Sequence, residues 1–128
     1  MERKLISSAS PYEKTIGFSR AVRIGNMIAV SGTGPIAPDG STAGGDSAYK
    51  QAIRCLEIIK KAIEDAGGKI EDVIRTRMYI TCAEVQDEVG RAHGEIFADI
   101  RPVATMVVVK ELVRPEWLVE IEAEAVVD

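Results

Sequence analysis

The chain has few of the residues that build metal and redox sites. Its 128 residues include one histidine and two cysteines, and only 5% are aromatic. Cys55 and Cys82 form no CxxC pair, so the sequence predicts two free thiols and no metal site. It also has no glycine-rich loop of the kind that cradles nucleotide phosphates, and we expect no cofactor.

Long apolar runs and excess positive charge are also missing. No run approaches the roughly 20 apolar residues that a membrane helix needs, and residues 1–7 contain no secretory apolar segment. The formal net charge of −4 argues against a nucleic-acid partner, because such affinity comes from clustered lysine and arginine. We therefore expect a cytoplasmic protein that binds neither membrane nor nucleic acid.

The apolar content of 46% is enough for one compact domain over residues 1–128. Helical spacing of apolar residues predicts a first helix over 46–66, capped by Asp46 and ended by Gly67. A second helix is predicted over 84–98, although its two interior glycines each cost about 1 kcal/mol relative to alanine.

Turn residues separate six strand candidates, and their order along the chain predicts the fold class. The candidates are residues 4–7, 18–24, 27–31, 73–81, 105–109 and 117–126. With the two helices, this order is typical of an α+β fold in which both helices pack on one face of a mixed sheet.

The last two strands predict a partner surface. In the last strand Val119, Ile121, Ala123 and Ala125 alternate with Glu120, Glu122 and Glu124, so the apolar set is expected to face the helices. Residues 103–110 are almost continuously apolar, as in a strand covered on both sides. Two helices cover only one face, so we expect a second copy of the chain to cover the other.

Four segments resemble the Rid family, also called YjgF or reactive-intermediate deaminase proteins. They are residues 16–22, 25–32, 101–106 and 118–123, in the family's order. The resemblance implies a chorismate-mutase-like fold and a homotrimer with small-molecule clefts between subunits. It also implies hydrolysis of an imine or enamine acid whose carboxylate is bound by an arginine.

The chain departs from the RidA subgroup at that arginine, because Ala104 stands at its position. Met106 falls where a cysteine is frequent, the tyrosine of the first block is absent, and Gly90 replaces an expected asparagine. We therefore predict a more apolar cleft and weak or absent hydrolysis of standard substrates such as 2-aminoacrylate.

The resemblance implies which residues line the cleft. Glu120 is the candidate catalytic residue, as a proton acceptor, with an interfacial ion pair as the alternative. Gly32 either allows close approach to a ligand or serves a turn with unusual backbone angles. The other candidate substrate-binding residues from the resemblance are Phe18, Ser31, Thr33, Ala104, Thr105 and Met106. Arg20 and Arg101 are added because they lie in two of the matching segments and could bring a guanidinium near the cleft.

Two other hypotheses stay open. In one, Arg20 or Arg101 binds the carboxylate in place of the missing arginine and deaminase activity is kept. In the other, the chain is a ligand-responsive or chaperone-like module without turnover. A ribonuclease role is the weakest option for an acidic chain without a basic aromatic surface, and we expect His93 to be structural.

Overall fold

A computed structural model describes residues 1–8 and 10–128 of the chain. Six strands form one sheet: β1 Arg3–Ile6, β2 Ala21–Ile24, β3 Met27–Thr33, β4 Val73–Ile80, β5 Val103–Val108 and β6 Val119–Val126. The two α-helices are α1 Ala48–Asp65 and α2 Gln86–Phe97. The predicted order of helices and strands is confirmed.

The strands lie in the order β1-β2-β3-β6-β4-β5 across the sheet. Every neighbouring pair is antiparallel except β4 and β5, which are parallel and are joined through α2. Parallel strands need such a crossover connection. Helix α1 packs against β3 and β6, and α2 packs against α1. The α+β prediction, with a mixed sheet and a single helix layer, is confirmed.

Helix α1 is held by the apolar stripe that the sequence predicted. Its buried residues are Ala48, Gln51, Ala52, Cys55, Leu56, Ile59, Ala62 and Ile63. The predicted cap was wrong by one residue, because Ser47 accepts a hydrogen bond from the Lys50 backbone NH. Gly67 ends the helix with a φ of 90°, in the left-handed region that favours glycine.

Strand β6 alternates as predicted, with its apolar residues buried and its three glutamates half-buried. Strand β5 is not covered on both sides within one protomer, where the sequence predicted that a second copy covers one of them. It is an edge strand, and Val103 and Val108 are 58% and 56% exposed. Met106 packs against the core, whereas the other residues of β5 are exposed in the protomer.

The second strand begins later than predicted, because the residues before it form a local turn. Glu13–Gly17 make one turn of π-helix, and the Phe18 backbone NH donates to the carbonyl oxygen of Glu13 at 3.1 Å. In the part of the chain that the structure describes, no helix is long and apolar enough to cross a membrane.

Candidate functional site

A β-bulge interrupts β3 at the Ser31-Gly32 pair of the predicted site. Val30 pairs with Ala123 and Thr33 with Ile121, so β3 has one residue more than β6 between these two pairs. An extra residue bends the strand and redirects its side chains, and bulges are frequent next to active sites. The bulge therefore leaves Ser31 and Gly32 partly exposed, next to strand β6 in the middle of the sheet.

Gly32 lies directly against the carboxylate of Glu120 on the neighbouring strand β6. A Cβ atom on Gly32 would be 3.3 Å from the Glu120 carboxyl carbon, which is tighter than an ordinary contact. Gly32 is not among the residues with positive φ. The predicted turn with unusual backbone angles is therefore absent at Gly32, and the missing side chain leaves space for the Glu120 carboxylate.

Burial sets the acidity of Glu120. Desolvation raises the pKa of its carboxyl above the usual value, the positive charge of Arg20 opposes this shift, and the negative charge of Glu122 adds to it. No salt bridge to Glu120 occurs among residues 1–8 and 10–128. A half-buried carboxylate without a cation in contact is suited to accept a proton.

Arg20 is the most buried charged side chain near this point, with 6% of its surface exposed. Its Nη1 donates to the carbonyl oxygen of Gly32 at 2.7 Å and to Thr33 Oγ1 at 2.8 Å. Desolvation lowers the pKa of its guanidinium, and the charges of Glu13 and Glu120 oppose that effect. Arg20 thus fixes the end of β3 that carries Gly32.

Phe18 and Ser31 line an open depression on the outer face of the sheet, the face without helices. The Ser31 hydroxyl donates to the carbonyl oxygen of Ser19, which ties the two segments together. The Arg20 guanidinium carbon lies 5.6 Å from the centroid of the Phe18 ring. The structure therefore brings together six predicted residues: Phe18, Arg20, Ser31, Gly32, Thr33 and Glu120.

The other four predicted residues lie at the far edge of the sheet. Arg101 immediately precedes β5, and Ala104, Thr105 and Met106 are on it. Strands β6 and β4 separate β5 from β3, which amounts to three steps of about 4.8 Å, or about 14 Å. The two groups of predicted residues do not meet within one protomer.

The pairing register of β5 with β4 places the predicted residues of β5 on two different faces of the sheet. Ala104 and Met106 pair with Thr76 and Met78 of β4, which are buried under the helices, so they share the helix-facing side. Thr105 alternates to the outer side, which is also the side of Glu120. Arg101 is exposed, has a φ of 58°, and donates its backbone NH to the carbonyl oxygen of Phe97 at 2.8 Å.

Comparison with known proteins agrees with this architecture. The family model described as endoribonuclease L-PSP matches residues 8–127. A solved structure of Rv2704 from Mycobacterium tuberculosis, described as a member of the YjgF/YER057c/UK114 family, is 42% identical. It covers 98% of this chain and 100% of its own, with a TM-score of 0.89. The chain belongs to this family.

Other relatives of the YjgF family cover most of the chain. The uncharacterized protein SCO2049 of Streptomyces coelicolor is 39% identical over 94% of this chain and 89% of its own length. The RutC family protein PYRAB12510 of Pyrococcus abyssi is 33% identical over 88% of both. RidA from an Antarctic Psychrobacter is 24% identical, covers 97% of this chain and 94% of its own, and shares the fold with a TM-score of 0.81.

Two buried residues that hold the loops of this YjgF-family protein were missed by sequence reasoning. The Gln51 amide donates to the carbonyl oxygens of Gly45 and Glu116 and accepts from the Leu118 backbone NH. Trp117 is buried, and a Cβ on Gly34 would be 2.4 Å from its ring. Gln51 stands at the spacing of the buried α1 stripe, which was a usable signal.

The remaining titratable groups take structural positions. His93 Nε2 is hydrogen-bonded to Thr76 Oγ1 at 2.8 Å, and burial lowers the pKa of its imidazole. Cys55 is fully buried, and desolvation raises the pKa of its thiol. Among the described residues, no group of three or more His, Cys, Asp or Glu side chains is arranged to hold a metal ion.

Proposed function

We propose that this protein is a homotrimer that binds a small molecule in a cleft between adjacent copies. The observation that carries the proposal is the separation of the predicted residues into two groups, because β5 lies about 14 Å from β3 and about 10 Å from the strand of Glu120. One group surrounds Gly32 and Glu120, and the other follows β5. A single cleft contains both groups only if one copy contributes the first and its neighbour contributes the second.

In this cleft the protein hydrolyses an imine or an enamine. An enamine first gains a proton on carbon and loses one from nitrogen, both exchanged with solvent, which gives the imine. Glu120 accepts a proton from a water molecule as the water oxygen attacks the imine carbon, and the nitrogen takes up a proton from solvent. Glu120 then returns its proton to the nitrogen as the new hydroxyl group loses its proton to solvent, and the C–N bond breaks, which releases a carbonyl compound and ammonia. The raised pKa of Glu120 makes it a better base than an exposed carboxylate.

Ala104 supports a substrate other than 2-aminoacrylate. A methyl group cannot form the bidentate hydrogen bonds by which an arginine holds a carboxylate. The neighbouring exposed side chains of β5 are also uncharged, as at Val103, Thr105 and Val107. We therefore propose that the preferred imine has an apolar substituent where RidA substrates have a carboxylate.

A second candidate function keeps the carboxylate substrate and assigns its binding to Arg101 or Arg20. Arg101 is exposed beside β5, and no ion pair of its side chain occurs in the described parts of the chain. Arg20 is less available, because its Nη1 already serves Gly32 and Thr33. Loss of carboxylate-imine hydrolysis in Arg101→Ala, with Arg20→Ala as the parallel variant, would support this candidate.

Ribonuclease activity, which the name of the family model implies, has less support. The formal net charge is −4, and Glu122 and Glu124 lie on the outer face of the sheet. A surface of this charge repels a phosphate backbone. We propose no RNA substrate.

The experiment measures ammonia released from freshly generated imines, with and without the purified protein. The panel contains imines with and without a carboxylate, including 2-aminoacrylate, and a RidA protein serves as positive control. We expect faster release from imines without a carboxylate and little effect on 2-aminoacrylate. Glu120→Gln should lose the acceleration, whereas Glu64→Gln, at an exposed position on α1 outside the sheet, should keep it.

Absence of acceleration across the panel would contradict the catalytic proposal. The chain would then be a binder without turnover, as the chaperone-like or ligand-responsive hypothesis states. Acceleration only for 2-aminoacrylate and related amino-acid imines would instead favour the candidate with Arg101 or Arg20.

A further inference from the structure

A second, smaller cavity lies away from Glu120, between the segment after β3 and helix α1. Its volume is about 80 Å³. The polar part of its wall consists of two arginines, Arg20 and Arg54, and three hydroxyl side chains, Ser8, Ser10 and Thr33. Ile36, Pro38 and Ile58 contribute the apolar part. Among the described lining residues none is acidic, although the chain as a whole is.

Arg20 carries a buried positive charge that has no carboxylate in contact with it among the described residues. Its side chain makes no salt bridge among the described residues, and its buried Nε has no hydrogen-bond acceptor. Glu13 and Glu120 act on it only through space. The Glu13 carboxylate is already held by the Ser7 hydroxyl and by the Ser8 backbone NH and hydroxyl. A buried cation without a contacting anion is costly, so an anion in the cavity would stabilise it.

Arg54 supplies a second cation from α1. Its Nε donates to the Ile36 carbonyl oxygen at 2.8 Å, which holds the guanidinium against the cavity. Its only carboxylate contact in the described structure is with Glu57 at 3.5 Å, an exposed side chain in the next helical turn. Exposed pairs of this kind contribute about 0 to 1 kcal/mol, so the charge of Arg54 stays available to a ligand.

The hydroxyl groups define where a ligand would be hydrogen-bonded. Ser10 Oγ accepts from the Tyr12 backbone NH, so its own proton is free to donate. The Ser8 hydroxyl already donates to Glu13, and the Thr33 hydroxyl donates to the carbonyl oxygen of Ser31. The donors open to a ligand are therefore the Nε of Arg20, the nitrogens of Arg54 other than Nε, and the Ser10 hydroxyl.

The volume of the cavity and the side chains of its wall determine which small anions fit. A water molecule needs about 10 to 15 Å³ of such a cavity, so the space accommodates a ligand of roughly five to eight heavy atoms. Inorganic phosphate has no apolar part to place against Ile36, Pro38 and Ile58, whereas a short alkyl chain suits that wall. We propose that this cavity binds a short-chain aliphatic carboxylate, with its carboxylate between Arg20 and Arg54.

The site does not depend on imine hydrolysis, because its test measures binding and not turnover. Propionate and butyrate are titrated into the full-length protein and followed by calorimetry and by amide chemical shifts. Propionamide, the neutral isostere of propionate, and inorganic phosphate are the control ligands. We expect saturable binding of both carboxylates, shifts at residues around the cavity, and much weaker binding of both controls.

Arg54→Gln is the decisive variant, since Arg20 also supports the end of β3 and its loss can unfold the protein. Hydrogen bonds to charged groups contribute about 1.5 to 3 kcal/mol, so propionate affinity should fall at least about tenfold. Ser10→Ala should weaken it by a smaller factor. Arg91→Gln, which removes an arginine stacked on Tyr49 elsewhere, should leave it unchanged. Equal affinity of Arg54→Gln and the unaltered protein would overturn the proposal, as would equal binding of propionamide or a preference for phosphate.

Discussion

The two faces of β6 consist of alternate residues of one strand, but they differ in how deeply they are buried within one protomer. On the helix side Val119, Ile121 and Ala125 are fully buried beneath α1. On the outer side Glu120, Glu122 and Glu124 are half-buried with no helix above them. The first face is fully covered within one protomer, whereas the second is only half-buried.

The outer face has its own polar organisation. Arg77 Nη1 lies 3.1 Å from a Glu124 carboxylate oxygen, Arg75 also approaches Glu124, and the Tyr79 hydroxyl donates to Glu122. Glu120 is the member of the row without a salt bridge among the described residues. Charge pairing therefore occupies two of the three glutamates and leaves the third to the candidate site.

Truncation of the helix-facing side should have the largest effect. Ile121→Ala removes a fully buried side chain in the middle of the sheet, and we expect it to lower the free energy of unfolding by about 2 to 5 kcal/mol. Val107→Ala, on the outer side of the edge strand and 42% exposed, is the matched control and should cost less in a dilute sample. Urea denaturation measures both. Equal losses would mean that the two faces are equally buried within the protomer.

The ion pairs of the outer face should respond to protein concentration. In a dilute sample Glu124→Gln should cost about 0 to 1 kcal/mol, as for exposed pairs. Once a partner copy covers the face, loss of a charged hydrogen bond should cost about 1 to 3 kcal/mol. Urea denaturation over a range of concentrations distinguishes the two. A small cost at every concentration would indicate that the face stays in water.

The smallest expected effect belongs to Glu120 and depends on pH. Because its folded pKa is raised above the ordinary value of 4.5, ionisation opposes folding. The stability linked to the protonated form is complete below that value and is lost as pH rises through the folded pKa. Glu120→Gln should therefore equal the unaltered protein below pH 4 and exceed it at pH 7. The gain should be under about 1 kcal/mol, because solvent screens this partly exposed group. A variant less stable at pH 7 would contradict this role of burial.

The fold could be predicted well from the sequence, because the spacing of apolar residues indicates which side of a helix or strand is buried within the same chain. The α1 stripe and the alternation of β6 each predicted which side meets the core, and glycine at position 67 marked the helix end. The cover of β5 by a second copy stays a prediction, because its residues are mostly exposed within one protomer. The π-helical turn before Phe18 had no periodic signal at all.

The site could be predicted as residue types but not as geometry. Gly32 and Glu120 were identified, whereas their contact depends on a bulge that only the pairing of β3 with β6 defines. Arg20 was placed in the site, although its burial and its hydrogen bonds to Gly32 and Thr33 could not be read from the chain. Nothing in the sequence indicated that Arg54 lines a cavity, because an arginine on a helix is usually a solvated residue.

Native mass spectrometry of the full chain tests most directly the claim that a second copy completes the outer face and the cleft. For a protomer of 13.8 kDa, the account predicts a closed assembly of three copies at micromolar concentration. Val107→Asp should dissociate it by placing a charge on the outer side of β5, whereas Val113→Asp, at a 75% exposed position outside the sheet, should not. A single protomer at all concentrations, or an assembly unaffected by Val107→Asp, would contradict the account.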